Sequence, residues 1–346
     1  MNGRDPRVVE QLGVTWNETL GGFENATIFH TREWANLLDA TYGYRPCYLV
    51  TGSTESPSAI LPLMDVRSPI TGRRGVSLPF TDMCEQLATP DAPQPDPAPA
   101  LQELARQRRW RYIETRGANP FHRKASTRRL IGHRLDLSAG PEKLFANCKS
   151  SVRRAIRKAE RNGVSIEFET SLTAVRQFYR LNCLTRRAHG LPPQPYAFFR
   201  NLQRALLDRG LGRIGLARKD GRTVAAAVFL HFQGAALYKY GASDSAALDL
   251  RGNNLVMWEA IRRFADEGFR RFLMGRTEPD NTGLLQFKQS FGAEPYDIEY
   301  ARLTLDPRRG TSANTPPLHG RHNRIFQALP IPCARIVGKM LYRHVA

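Results

Sequence analysis

Hydrophobic and polar residues alternate from Val164 to Glu169, which predicts a strand. On either side the period lengthens to that of a helix. Pro141–Asn162 ends at Gly163, and Leu172–His189 is closed by Gly190 and stopped by Pro192-Pro193. Tyr196–Arg209 is a further predicted helix, ended by Gly210. Arg213–Lys219 and Thr223–Phe232 then read as strands joined at Asp220-Gly221, a strong hairpin signal. Ala235–Gly241 follows Gly234 as a third strand. Asn253–Glu267 is a predicted helix ended by Gly268, Arg271–Gly275 a strand, Thr282–Phe291 a short helix and Tyr296–Leu305 a last strand. The predicted order of this half is β-α-α-β-β-β-α-β-α-β.

The first half is less regular. Strands are expected at Cys47–Thr51, Ala59–Val66 and Val76–Phe80. Residues 88–100 then carry prolines at 90, 93, 95, 97 and 99, which forbids a helix and favours an extended, solvated loop. A helix near Ala100–Gln107 and strands near Arg111–Arg116 and Gly132–Leu137 follow. The pattern is that of an α/β protein with mixed sheets in two domains, 1–140 and 141–305, and a tail, 306–346.

At 346 residues and 41% hydrophobic, the chain can bury two cores of ordinary size. The first residues lack an apolar leader and no apolar run has the length of a membrane span, so a cytoplasmic location is expected. Cys47, Cys84, Cys148, Cys183 and Cys333 are far apart and show no ligand spacing; they read as reduced thiols rather than a metal site or a disulfide framework. Lys and Arg number 51 against 32 Asp and Glu, a formal charge of +19. Such a balance points to polyanionic partners: RNA, anionic lipid headgroups or a nucleotide-linked substrate. Arginine-rich composition alone produces the same balance without function.

The charge is concentrated on Lys149–Arg161. Lys149, Arg153 and Arg157 form one row, Arg154, Lys158 and Arg161 a second, and Val152, Ile156 and Ala159 form the apolar stripe that docks the helix. This is a phosphate-tracking surface without the aromatic residues that stack bases. Arg251 and Asn253, at the start of the next-to-last helix, offer a second anion contact. Tyr238 and Tyr240, two apart on a strand, are expected on one side of the sheet. Lys288 lies between Phe287 and Phe291, whose i and i+4 packing tethers it. A fixed ammonium suits an oxyanion, and one preorganised donor contributes about 2.7–4 kcal/mol to acyl transfer. Asp244, Glu278 and Asp280 are candidate general bases, with no choice between them. His189, at a helix end, reads chiefly as a complement to the helix dipole. The tail alternates Phe326, Leu329, Ile331, Ile336, Val337, Met340 and Leu341 with Arg324, Arg335, Lys339 and Arg343. It can lie on an anionic membrane or dock on the protein's own N-terminal domain.

The element order is that of the GNAT (N-acetyltransferase-type) fold. Tyr238-Lys239-Tyr240-Gly241-Ala242-Ser243, Asn253-Asn254-Leu255-Val256-Met257-Trp258, Leu284-Leu285-Gln286-Phe287-Lys288-Gln289-Ser290-Phe291-Gly292 and His189-Gly190-Leu191-Pro192-Pro193-Gln194-Pro195 together resemble Fem-type proteins. Phe29-His30-Thr31-Arg32-Glu33-Trp34, Leu61-Pro62-Leu63 and Ser77-Leu78-Pro79-Phe80 agree more loosely. These relatives of the peptidoglycan aminoacyltransferases are built from two tandem GNAT-like domains, and the chain is most similar to the shorter FemAB-like members. The resemblance implies transfer of an aminoacyl group from aminoacyl-tRNA to an amine of a peptidoglycan or exopolysaccharide precursor, at the inner face of the membrane, without a covalent enzyme intermediate or a tightly bound cofactor. It places Lys288 at the transferred carbonyl, with Tyr238 and Tyr240 as the paired strand tyrosines. One departure concerns the donor: Leu248–Asn254 holds a single glycine where acyl-CoA-dependent enzymes carry a glycine-rich loop. An acetyl-CoA-dependent N-acetyltransferase acting on an amino sugar stays open, as does a non-catalytic RNA- or membrane-binding protein on a degenerate transferase fold.

Overall fold

The computed structural model describes residues 6–90, 96–305 and 321–344. Residues 91–95 of the proline run and the polar stretch beginning at Thr311 lie outside them; the run's end is helical rather than loop, since a helix starts at Ala98 and Pro99 sits in its first turn, where no backbone donor is needed. In chain order the elements are β1 (Arg7–Val9), α1 (Trp16–Thr19), α2 (Arg32–Tyr42), β2 (Arg45–Pro46), β3 (Tyr48–Gly52), β4 (Pro57–Leu61), β5 (Met64–Ser68), β6 (Gly72–Val76), β7 (Leu87–Ala88), α3 (Ala98–Arg108), β8 (Tyr112–Gly117) and β9 (Ser126–Asp136). There follow α4 (Pro141–Asn147), α5 (Ser150–Arg161), β10 (Ser165–Glu169), α6 (Leu172–Ala188), α7 (Tyr196–Ala205), β11 (Gly212–Lys219), β12 (Arg222–Phe232), β13 (Ala235–Ser243), α8 (Gly252–Asp266), β14 (Arg271–Thr277), α9 (Thr282–Gln289), β15 (Glu294–Thr304), α10 (Arg321–Ala328) and α11 (Ile331–Leu341). The chain divides into two compact units, one holding described residues 6–130, 297–305 and 342–344, the other 131–296 and 321–341.

In the first unit β1, β3, β4 and β7 form one sheet, while β15, β8, β6, β5 and β2 are hydrogen-bonded in that order. The predicted strand Ala59–Val66 is two strands in different sheets, β4 and β5. Between them stands Pro62, which has no backbone donor to continue a ladder. The expected strand Val76–Phe80 instead ends at Val76, because Leu78 and Phe80 take φ of 46° and 61°. Gly75 is bare for a reason: a Cβ there would lie 2.1 Å from the Trp110 ring. Leu49, Leu61, Leu101, Leu104, Trp110 and Ile113 fill this core. Helix α2 has no counterpart among the predicted elements. Thr31 Oγ1 caps it by accepting from Trp34 N, and Gly43 ends it at φ 71°.

The predicted order is followed element by element from β10 to α9 in the second unit, and β15, most of which belongs to the first unit, completes it. The second unit's sheet runs β10-β11-β12-β13-β14-β9, antiparallel except for the parallel pair β13–β14. Helices α6 and α7 pack on one face. On the other, Phe229, Phe264, Phe272 and Met274 form a core under α8, against which α5 packs through Val152, Ile156 and Ala159. The predicted helix Pro141–Asn162 is broken. Cys148 and Lys149 are extended (ψ 141° and 146°), and Lys149 N donates to Ser290 O at 2.8 Å, tying the start of α5 to the end of α9. The tail is also corrected. α10 and α11 pack on α6 of this unit, and only Tyr342–His344 bond within the first: Tyr44 Oη donates to Tyr342 O and Arg343 O, and Arg74 Nη2 to His344 O.

Candidate active site

The parallel strands β13 and β14 pair over only three positions, Ala235–Arg271 to Leu237–Leu273. Beyond them the strands share no ladder pairs, and the sheet opens between Tyr238–Ser243 and Met274–Thr277. On its other side β14 pairs with β9, and there Met274 and Gly275 together stand opposite His133 alone. This is a β-bulge, with Gly275 at φ 63°. A bulge orphans backbone carbonyls, and buried carbonyls require donors.

Lys288 is that donor. It is 2% exposed, and its Nζ donates to Gly275 O at 2.9 Å, Arg276 O at 3.4 Å and Thr277 Oγ1 at 2.7 Å. The flanking rings behave as expected, with Phe287 and Phe291 edge to face at 5.2 Å. The ammonium, however, is spent on the end of β14 rather than projecting into an open cleft. Beside it lies His133, fully buried, with neither ring nitrogen hydrogen-bonded among the described residues. Burial, aided by the charge on Lys288, holds the His133 imidazole down at about 4, so it is neutral at pH 7.

Tyr238 and Tyr240 do not share a face. Val228 pairs with Tyr240 and the next residue, Phe229, with Tyr238, so Lys239 is an extra residue on β13 and the alternation breaks there. Tyr238 packs on Phe229 at 5.9 Å, on the α8 side. Its hydroxyl lies over Gly241, where a Cβ would come within 1.8 Å of Oη. Burial pushes this phenol up to about 12. Tyr240 packs among Phe178, Phe198 and Phe199 of α6 and α7 on the opposite face.

The cations converge on a cavity of about 620 Å³ beside the open end of the sheet. Lys149 enters from just before α5, Arg154 and Lys158 from α5, Arg251 and Asn254 from the start of α8, Gln286 and Phe287 from α9 and Ser290 from its end. No carboxylate lines it. Two of the row predicted for this role lie elsewhere. Arg153 Nη1 donates to Cys148 O at 2.7 Å and also bonds Ala146 O, capping α4, and Arg157 stands over the Phe145 ring at 5.9 Å. The second row supplies Arg154 and Lys158 instead. Asn254, not Asn253, reaches the cavity, and Arg251 takes the left-handed N-cap position of α8 (φ 59°). Asn254 is adjacent to the residue singled out in the sequence, whereas no local signal marks His133 or Thr277.

Asp244 accepts from Ala246 N at 3.1 Å and caps the turn before α8, and His189 terminates α6. No group of His, Cys, Asp or Glu among the described residues has metal-binding geometry. Cys47, Cys84, Cys148 and Cys183 are buried free thiols, and Cys333 is exposed.

Residues 146–296 match the acetyltransferase (GNAT) domain family. FemX shares the fold over 85% of this chain and 96% of its own, with a TM-score of 0.65 and 12% identity. The C-terminal domain of a putative lysylphosphatidylglycerol synthetase from Agrobacterium fabrum aligns over 83% and 92% (TM-score 0.55, 16% identity). A tandem GNAT protein from the clavulanic acid biosynthesis pathway aligns over 88% and 99% (TM-score 0.53, 14% identity). No curated protein matches in sequence. Residues 146–296 thus form a GNAT-family domain, and over most of its length the chain has the fold of FemX and of a tandem GNAT protein.

Proposed function

We propose that the protein transfers an aminoacyl or related acyl group from a phosphate-bearing carrier to an amine of a cell-envelope precursor, on the cytoplasmic side of the membrane. The observation that carries this reading is the convergence of Lys149, Arg154, Lys158 and Arg251 on one cavity beside the β13–β14 opening. The cations hold the carrier's phosphates, and the acyl group lies toward the opening. The amine nitrogen attacks the acyl carbon, an amide C–N bond forms, the ester or thioester bond to the carrier breaks, and the ammonium proton leaves with water or the carrier. Lys288 serves as a positioning residue that fixes the end of β14, since its three protons already have three acceptors. Tyr238, on the α8 side, is the tyrosine suited to touch the donor; Tyr240 supports the opposite face. FemX and the lysylphosphatidylglycerol synthetase domain share the fold, which supports an envelope acceptor.

A second reading, acetyl transfer from acetyl-CoA to an amino sugar, is favoured by the acetyltransferase description of the matched family. Labelled aminoacyl-tRNA and labelled acetyl-CoA, each offered with nucleotide-linked sugar and peptide amines, separate the two. Labelled amide from the tRNA arm is expected. Amide only from the CoA arm supports the second reading, and none from either arm contradicts both.

A further inference from the structure

Helix α11 is held to the protein by its small residues and presents its large ones outward. Ala334 and Gly338 are buried, and a Cβ on Gly338 would lie 2.0 Å from Pro193 O, so the helix backbone sits directly on the Pro192-Pro193 segment. Ile336 and Met340 follow these residues by two positions each, about 200° around the helix. They are 62% and 65% exposed, and Ile325 of α10 is 64% exposed. Rotating α11 to bury them would push a larger side chain into the Pro193 carbonyl. The outward face is therefore fixed as apolar.

The two tail helices themselves carry one sign of charge. Arg324 and Lys339 are exposed beside the apolar residues, Arg335 is exposed with its guanidinium over the Tyr179 ring of α6, and no Asp or Glu follows Asp306 in the sequence. Exposed aliphatic side chains flanked by cations, with no acid present, suit a surface that is apolar inside and anionic at its edge. No helix of the described residues is long and apolar enough to cross a membrane. We propose that the α10–α11 face docks on the anionic surface of a lipid bilayer, with Ile325, Ile336 and Met340 entering the headgroup–acyl boundary. The inference is independent of the acyl-transfer reading.

Flotation with phosphatidylglycerol vesicles, with phosphatidylcholine vesicles as the control, tests it. At +19 the chain is attracted to any anionic vesicle, so the informative variant is Ile336→Ser/Met340→Ser, which alters no charge. Wild-type protein is expected to float with the anionic vesicles, retaining part of its binding at 0.5 M salt, where a purely electrostatic attachment is screened. The double variant is expected to lose about tenfold or more in partitioning, with an unchanged circular dichroism spectrum. Equal partitioning of variant and wild type, absence of wild-type flotation, or loss of binding only when salt is raised overturns the proposal. So does a concentration-dependent dimer, formed without vesicles and abolished by the same variant, since a second copy would then be what covers this face.

Discussion

Lys288 Nζ donates to Thr277 Oγ1 at 2.7 Å, and with Gly275 O and Arg276 O this contact ties α9 to the bulged end of β14. Lys288→Met keeps the stem and removes all three bonds. Leaving buried acceptors unsatisfied costs about 1–3 kcal/mol, and urea denaturation should report a loss in that range. Transfer activity should fall with it. The imidazole of His133 supplies an independent check, because loss of the charge on Lys288 should move its titration upward from about 4, read by NMR. An unmoved His133 titration contradicts the placement.

Acid sensitivity should begin above the range of carboxylates. His30, His133 and His231 are each held down at about 4 by burial. An unfolded histidine takes up its proton near pH 6.5, while the folded one resists until about 4. The unfolded state thus binds more protons between these values, and stability falls as pH drops through them. The urea midpoint should be lower at pH 5 than at pH 7, and His133→Phe should flatten part of that slope.

A second acid transition belongs to the first unit. Glu114 is buried between Arg116, at 2.9 Å, and Arg302, at 2.6 Å. Burial pushes its carboxyl up, but the two guanidinium groups outweigh this and hold it down at about 2. Its stabilisation is complete above the usual carboxylate range and is lost as pH falls toward 2. Glu114→Ala strands the buried Arg116 and the half-buried Arg302 and should cost about 3–5 kcal/mol at neutral pH. A loss below 1 kcal/mol, read by thermal melting, contradicts this ion cluster.

The tyrosine pair yields a coupling test. Gly241→Ala places a methyl 1.8 Å from the present position of Tyr238 Oη, so the ring must move. Overpacking of this kind costs about 1–3 kcal/mol. Tyr238→Phe removes the clashing oxygen, so the double variant should be less destabilised than the two single changes summed. Strict additivity would mean that Tyr238 does not lie over Gly241.

The element order of the second unit was legible because glycines and prolines punctuate nearly every element and Asp220-Gly221 marks the hairpin. The apolar stripe Val152, Ile156 and Ala159 likewise identified the docked face of α5. Features set by a distant partner were not legible. The bulges at Lys239 and at Met274–Gly275 arise from pairing with β12 and β9, and they decide where Tyr240 and Lys288 point. The break at Cys148 follows from the Lys149–Ser290 bond and diverts Arg153 to α4 carbonyls. Which cation row meets a phosphate therefore depends on α9, far away in sequence. Helix α2 differs, since its Thr31 cap and Gly43 stop were both readable signals.

The central claim is that Arg154 and Lys158, with Lys149 and Arg251, hold the phosphates of the acyl carrier. Binding of CoA and of bulk tRNA to wild type and to Arg154→Ala/Lys158→Ala, measured by calorimetry over a salt series, tests it most directly. The account predicts that at least one of the two binds the wild type. It also predicts that the variant weakens that binding about tenfold or more and, where tRNA is the carrier bound, that the slope of log K against log salt falls by about 1.4–1.8, or 0.7–0.9 per lost phosphate contact. Unchanged affinity and slope for both carriers, or no binding of either to the wild type, would contradict it.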